Sequence, residues 1–196
     1  MKDLVFEYGG DHGSRITAWF RKHLRSIELC LNAGFPEAGL ALIYSGIDTL
    51  GLLAAPSDVR DANRDTFKDW CEKFLLSRLQ RAEVEQVTAN DLYAARCGVL
   101  HTSTPVSTLG REGQAREIWY QFRGRLGVNL ITSLLQEPLH LDIDKLAICL
   151  TQGGCDFIRD LGKDSAKAQA AADRAQHFLR WGAIDAEEGG QVKAGG

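Results

Sequence analysis

The segment from Glu37 to Ala55 constrains this chain more than any other. Leu40, Leu42, Ile43, Ile47, Leu50, Leu52 and Leu53 leave it without a polar face. A helix that is apolar nearly all round belongs in the middle of a bundle, because it has no side to offer to water. Gly39, Ala41, Ser45, Gly46 and Gly51 are small enough to let neighbouring helices approach closely. Asp48 is the one charge in its interior, and a buried carboxylate requires a donor. The obvious donor is Arg96.

Arg96 stands in a second constrained stretch, residues 91–105. Thr88 can cap a helix there, with Asp91 three residues on in capping-box position. Leu92, Ala95, Val99 and Leu100 recur at helical spacing, so one side of this helix faces a core. Pro105 disfavours a helical Thr104 and stops the helix near His101. An arginine among such neighbours needs a partner, since an unpaired buried charge costs on the order of several kcal/mol.

The remaining periodicities predict further helices. Ser14 can cap a helix from Arg15 to about Asn32, whose buried stripe is Ile16, Trp19, Phe20, Leu24, Ile27 and Leu31. Its basic side, Arg15, Arg21, Lys22 and Arg25, reads as a solvated face in preference to a phosphate-binding strip. Gly34 ends that helix and Pro36 opens the next. A third helix is expected from Val59 to Leu79, with Phe67, Trp70, Cys71, Phe74 and Leu75 inside. Beyond Pro105 the pattern turns aromatic and β-prone, and Trp119–Phe122 and Leu139–Leu141 read as short strands of a small ribbon. Val128 to Leu135 suits either a strand or a short helix, and Gly124 and Gly127 bracket a turn. Asp142 or Asp144 caps a sixth segment, in which Gly153-Gly154 marks a kink or a close helix contact. Ser165 begins an Ala-rich last helix ending near Trp181, anchored by Phe178 and Leu179. The expected architecture is mainly α, an up-and-down helical bundle with a small β ribbon after the Arg96 helix. It forms a single domain over residues 1–181, with a flexible C-terminal tail over 182–196.

Composition narrows the function. A formal charge of −3 excludes a strongly basic nucleic-acid binder but leaves room for a local positive patch. The five cysteines are scattered, with no C-x-x-C pair, and read as reduced thiols rather than metal ligands or disulfides. No Walker, Rossmann, zinc or Ser-His-Asp signature occurs, so neither a cofactor nor a metal is expected. The first ten residues lack an apolar h-region, and no apolar run approaches the ~20 residues of a membrane span. The expected location is cytoplasmic, with no membrane partner.

Arg96 and His101 together offer chemistry. Histidine moves protons near neutral pH, and arginine holds a phosphate through parallel hydrogen bonds and stabilises its added charge. Such a pair suits metal-free phosphodiester cleavage, with Thr102 and Ser103 as polar helpers. Five residues along a helix are ~7.5 Å of rise and about 140° of rotation apart. The two side chains therefore converge only at a frayed helix end, or when a second copy of the chain supplies one of them. The competing reading pairs Arg96 with Asp48 and leaves His101 to satisfy the last helical carbonyls.

Arg96-Cys97-Gly98-Val99-Leu100-His101 has the R-x4-6-H form of the HEPN superfamily of helical RNase-like domains. The surroundings also resemble HEPN-like bacterial proteins: Ser45-Gly46-Ile47-Asp48-Thr49-Leu50, then Phe67–Trp70, then Asp91-Leu92-Tyr93 ahead of the motif. The likeness runs from about Arg15 to Pro105. It implies a helical bundle that forms a homodimer, in which Arg and His of two motif helices make one composite site. It further implies a metal-independent endoribonuclease of toxin or defence type, with RNA as substrate and an antitoxin or other partner protein. By carry-over, Arg96 would hold the scissile phosphate. His101 would assist the attacking 2′-hydroxyl or protonate the leaving oxygen. Cys97 stands where many catalytic members have a polar residue, often Asn. Non-catalytic HEPN relatives also exist, and in that alternative Asp48, Arg96 and His101 form a structural polar network in a binding or interaction module.

Overall fold

The computed structural model describes residues 11–82, 87–102, 112–126 and 138–178, with the side chains of 11–14, 101, 102, 125, 126 and 178 left out of that description. The protein is mainly α-helical, and a small sheet is set against the helices. The expectations for Val128–Leu135, Gly127, Leu179, Trp181 and the 182–196 tail fall outside the described residues, as does the effect of Pro105.

Helix α1 (Asp11–Asn32) is already formed at Asp11, so Ser14 lies within it rather than capping it. The helix ends in a Schellman arrangement. Gly34, at φ +82°, donates its N–H to the Leu31 carbonyl, and Phe35 donates to Cys30. Pro36 then opens α2 (Pro36–Ala54).

Helix α2 is the hub. Ile43, Tyr44, Ile47 and Leu50 are fully buried, and the helix packs on α1 and on the helices over Arg64–Trp70, Ala89–Thr102, Ile143–Leu161 and Ser165–Phe178. By length and composition alone it is also long and apolar enough to cross a membrane, which corrects the expectation that no run comes close. In this fold 56% of that apolar stretch is buried, and Leu42 and Leu52 stay partly exposed.

The third helix begins later than expected. Pro56 to Ala62 is a turn-rich link, and α3 (Arg64–Trp70) starts only after Asn63. The Asn63 side chain accepts from the N–H groups of Asp65 and Thr66 at 2.9 and 3.0 Å, while Thr66 Oγ1 accepts from Asn63 N–H at 3.0 Å. This reciprocal cap fixes the start. The chain then passes through one π-helical turn, Cys71–Leu75, into α4 (Leu76–Arg81).

Helix α5 (Ala89–Thr102) carries the Arg96 motif. Its expected capping box is present: Asp91 N–H donates to Thr88 Oγ1 at 3.1 Å, and Thr88 N–H donates to Asp91 Oδ2 at 2.9 Å. Asp91 does more than cap. It is buried, and Arg116 donates to it from its backbone N–H at 2.7 Å and its guanidinium at 3.3 Å, tying the approach to the sheet onto α5.

The expected ribbon is a three-stranded sheet in the order β2-β1-β3. Strand β1 (Ile118–Phe122) turns through Arg123 and Gly124, both at positive φ, into antiparallel β2 (Arg125–Leu126). Two such residues are the signature of a type I′ hairpin turn. Strand β3 (Leu139–Asp142) lies parallel to β1, with Ile118 opposite Leu139. The sheet is pinned to the core by Tyr120, whose hydroxyl hydrogen-bonds that of Tyr44 in α2.

Asp142, not Asp144, caps α6 (Ile143–Leu161) by accepting from Lys145 N–H at 2.9 Å. Gly153 and Gly154 mark a close contact, not a break: α6 runs through them unbroken. A Cβ on Gly154 would stand 2.1 Å from Phe20 Cζ of α1, and one on Gly153 would stand 2.7 Å from the Phe74 carbonyl oxygen in the π turn. Helix α7 (Ser165–Phe178) is held by Ala171, Ala172 and Ala175. The Phe178 side chain and Leu179, its expected anchors, are not among the described atoms.

Candidate functional site

Helix α5 lies over α2 and α3, and its outward line of Asn90, Tyr93, Arg96 and Cys97 follows from three- and four-residue spacing. Leu92 and Ala95 point the other way and are buried. Arg96 crosses to α2, where Asp48 Oδ2 accepts from its Nε at 2.8 Å and lies 2.7 Å from its Nη2. The sequence called for this pairing, because both groups sit on helices with little polar surface.

The pair is not sealed. Side-chain exposure is 19% for Arg96 and 14% for Asp48. Partial burial alone would lower the Arg96 pKa. The Asp48 hydrogen bond and charge, with a further contribution from Cys97, outweigh it and hold the group above its ordinary value. Arg96 is a permanent cation, and Asp48 anchors it on one edge.

Tyr93 forms the floor beside it. The Arg96 Cζ is 6.0 Å from the Tyr93 ring centroid, and Arg64 Cζ, from the start of α3, is 5.8 Å from the same centroid. Phe67 meets the ring edge-on at 5.7 Å. Burial, followed by the neighbouring Cys97 sulfur, pushes the Tyr93 phenol above its ordinary pKa, against the pull of both arginines. Arg64 is itself held, since its Nη2 donates to Asn90 Oδ1 at 2.7 Å and Asn90 Nδ2 donates to the Gln114 carbonyl at 2.7 Å.

Of the expected site residues, Arg96, Asp48 and Cys97 are brought together. His101 and Thr102 form the last turn of α5 by their backbone, and their side chains are outside the described atoms; Ser103 is outside the described residues. Arg64, Tyr93 and Asn90 were missed as site residues. The spacing of Asn90, Tyr93 and Arg96 on one helix face was a readable signal, whereas the arrival of Arg64 was not. All five cysteines are free thiols. Among the described residues, no group of three or more His, Cys, Asp or Glu side chains is arranged to hold a metal ion.

Fold and site together define a mainly α-helical protein in which Arg96 of α5, anchored by Asp48 of α2, and Arg64 of α3 stand beside the Tyr93 ring. No family model matches this chain, and neither a curated protein nor a solved structure does so.

Proposed function

We propose that this chain is a HEPN-like endoribonuclease in which Arg96 and His101 cleave an RNA phosphodiester. The reading is supported above all by Arg96, a permanent cation fixed on one edge by Asp48 and not fully buried. Asp48 Oδ2 engages the guanidinium through Nε and Nη2. Arg96 would bind the non-bridging oxygens of the scissile phosphate and stabilise their growing charge. The 2′-oxygen would attack phosphorus as its proton leaves, and the bond to the 5′-oxygen would break. The products would be a 2′,3′-cyclic phosphate and a 5′-hydroxyl. His101, about one and a half turns further along α5, would take the first proton or supply the second. That spacing favours a homodimer in which the α5 helices of two copies meet and share the site. A toxin or defence role, with an antitoxin as partner, belongs to the same reading.

The test is cleavage of end-labelled single-stranded RNA by the purified protein in EDTA. Wild type should yield cyclic-phosphate ends, and His101→Ala should fold normally yet leave the RNA intact. An equally active His101→Ala would remove this histidine from the mechanism. A monomer by sedimentation at assay concentration would remove the composite site.

The Arg96–Asp48 ion pair itself favours a second reading, a non-catalytic interaction module whose polar network fixes the packing of α2 against α5. Under it, wild type leaves every RNA intact and Arg96→Ala acts on stability alone.

A further inference from the structure

We infer that Arg64 is a second phosphate-binding residue, which engages an RNA strand one phosphate away from the one Arg96 holds. The inference rests on the reading of Arg96 as a phosphate ligand and names how the strand is seated. An exposed arginine ordinarily samples many rotamers, and fixing one costs side-chain entropy. Arg64 is exposed yet already fixed, by Asn90 Oδ1 at 2.7 Å and by the Tyr93 ring at 5.8 Å. Asn90 is in turn braced by the Gln114 carbonyl.

Its charge is not neutralised in place. Among the described residues no carboxylate lies within ion-pair distance of Arg64, Asp61 and Asp65 included, whereas Arg96 has Asp48. Two guanidinium groups thus flank one aromatic ring, both within 6.0 Å of its centroid. An anion that spans them supplies Arg64 with the counter-charge it lacks among the described residues, and a polyanionic strand has its charges in a row. Planar guanidinium groups suit phosphate oxygens better than point charges do. The Tyr93 ring between them gives the strand an apolar surface for a sugar or base edge.

The test uses a fluorescein-labelled, single-stranded oligoribonucleotide with 2′-O-methyl groups throughout, so that binding is read without cleavage. Anisotropy titrations of the full chain run across a salt series. Arg64→Gln should weaken binding roughly 3–10-fold and lower the slope of log K against log salt by about 0.7, the loss of one single-strand phosphate contact. Arg64→Lys should keep the slope and recover only part of the affinity. Arg21→Gln, which removes an exposed charge on α1, should leave both unchanged.

An Arg64→Gln protein with wild-type affinity and slope overturns the inference. So does an equal loss in Arg21→Gln, which would reduce the effect to net charge, and so does a wild type that binds no oligonucleotide at low salt. If Arg64→Gln lowers the slope but no RNA is ever cleaved, the phosphate site stands and the nuclease reading falls.

Discussion

Arg96 on α5 grips Asp48 on α2 through two nitrogens that share one carboxylate oxygen, at 2.8 and 2.7 Å. The contact joins residues 48 positions apart and locks the motif helix to the hub of the bundle. It sets where any ligand of Arg96 must lie, because that edge of the guanidinium is already taken.

Removing one partner strands the other in a partly closed place. Arg96→Ala should cost roughly 2–4 kcal/mol in urea unfolding, below the 3–5 typical of fully buried pairs because both side chains retain some exposure. Asp48→Leu combined with Arg96→Met should recover most of that loss. If the two single changes add without coupling in a double-mutant cycle, the pair is not holding the helices together.

The second joint is steric. Phe20 is 1% exposed and its ring lies where a Gly154 side chain would go. Gly154→Ala should cost roughly 1–3 kcal/mol by overpacking, and Phe20→Leu in the same chain should return part of it. Gly153→Ala meets the Phe74 carbonyl, which is backbone, so no side-chain truncation should relieve it. Urea midpoints of the four proteins separate these cases. A Gly153→Ala protein as stable as wild type would mean that α6 does not lie against the π turn.

What the sequence made legible follows the range of each interaction. Helix α2 was readable because its pattern is local and leaves it nowhere to go except the centre. Asp48 and Arg96 were matched across 48 residues of sequence because each needed an opposite charge and few others stood on apolar helices. The glycine pair of α6 was readable as a kink or a close contact, though neither the choice between them nor the partners Phe20 and Phe74 could be read. The start of α3 was misplaced because Pro56-Ser57-Asp58 looks like a sufficient break, while the reciprocal Asn63–Thr66 cap decides the matter. Parallel pairing of β1 and β3 depends on a connection that carries no register signal. Arg64 could not be foreseen beside Tyr93, since a helix meeting places it there across 29 residues of sequence.

A buried polar contact, the Tyr44–Tyr120 hydroxyl pair, holds the sheet to the hub helix. Burial pushes both phenols above their ordinary pKa, so the bond joins two neutral groups. Tyr44→Phe leaves the Tyr120 hydroxyl without this partner and should cost about 1–3 kcal/mol. Tyr120→Phe should behave alike. The double variant should cost clearly less than the two losses together, because it leaves no orphaned hydroxyl. Strict additivity in chemical denaturation would show that the hydroxyls do not depend on each other.

His23 on α1 gives the fold a pH dependence of predictable sign. Its ring stacks on Trp19 with centroids 5.2 Å apart, and its Nε2 lies 2.8 Å from the Leu42 carbonyl oxygen. Neighbouring Gly46 leaves the ring its space, for a Cβ there would stand 2.6 Å from Nε2. Burial lowers the His23 pKa below 6.5, and the Leu42 hydrogen bond opposes this only in part. Between the lowered folded value and 6.5 the unfolded chain therefore holds more protons than the folded one. Stability from this group is complete above about pH 6.5 and declines as the pH falls through that window. Other histidines and carboxylates titrate nearby, so the measurement is a difference: urea midpoints of wild type and His23→Gln at several pH values. The wild type should lose more stability than the variant on going from neutral to mildly acidic pH. A variant with the same pH profile would show that His23 titrates alike in the folded and unfolded chain.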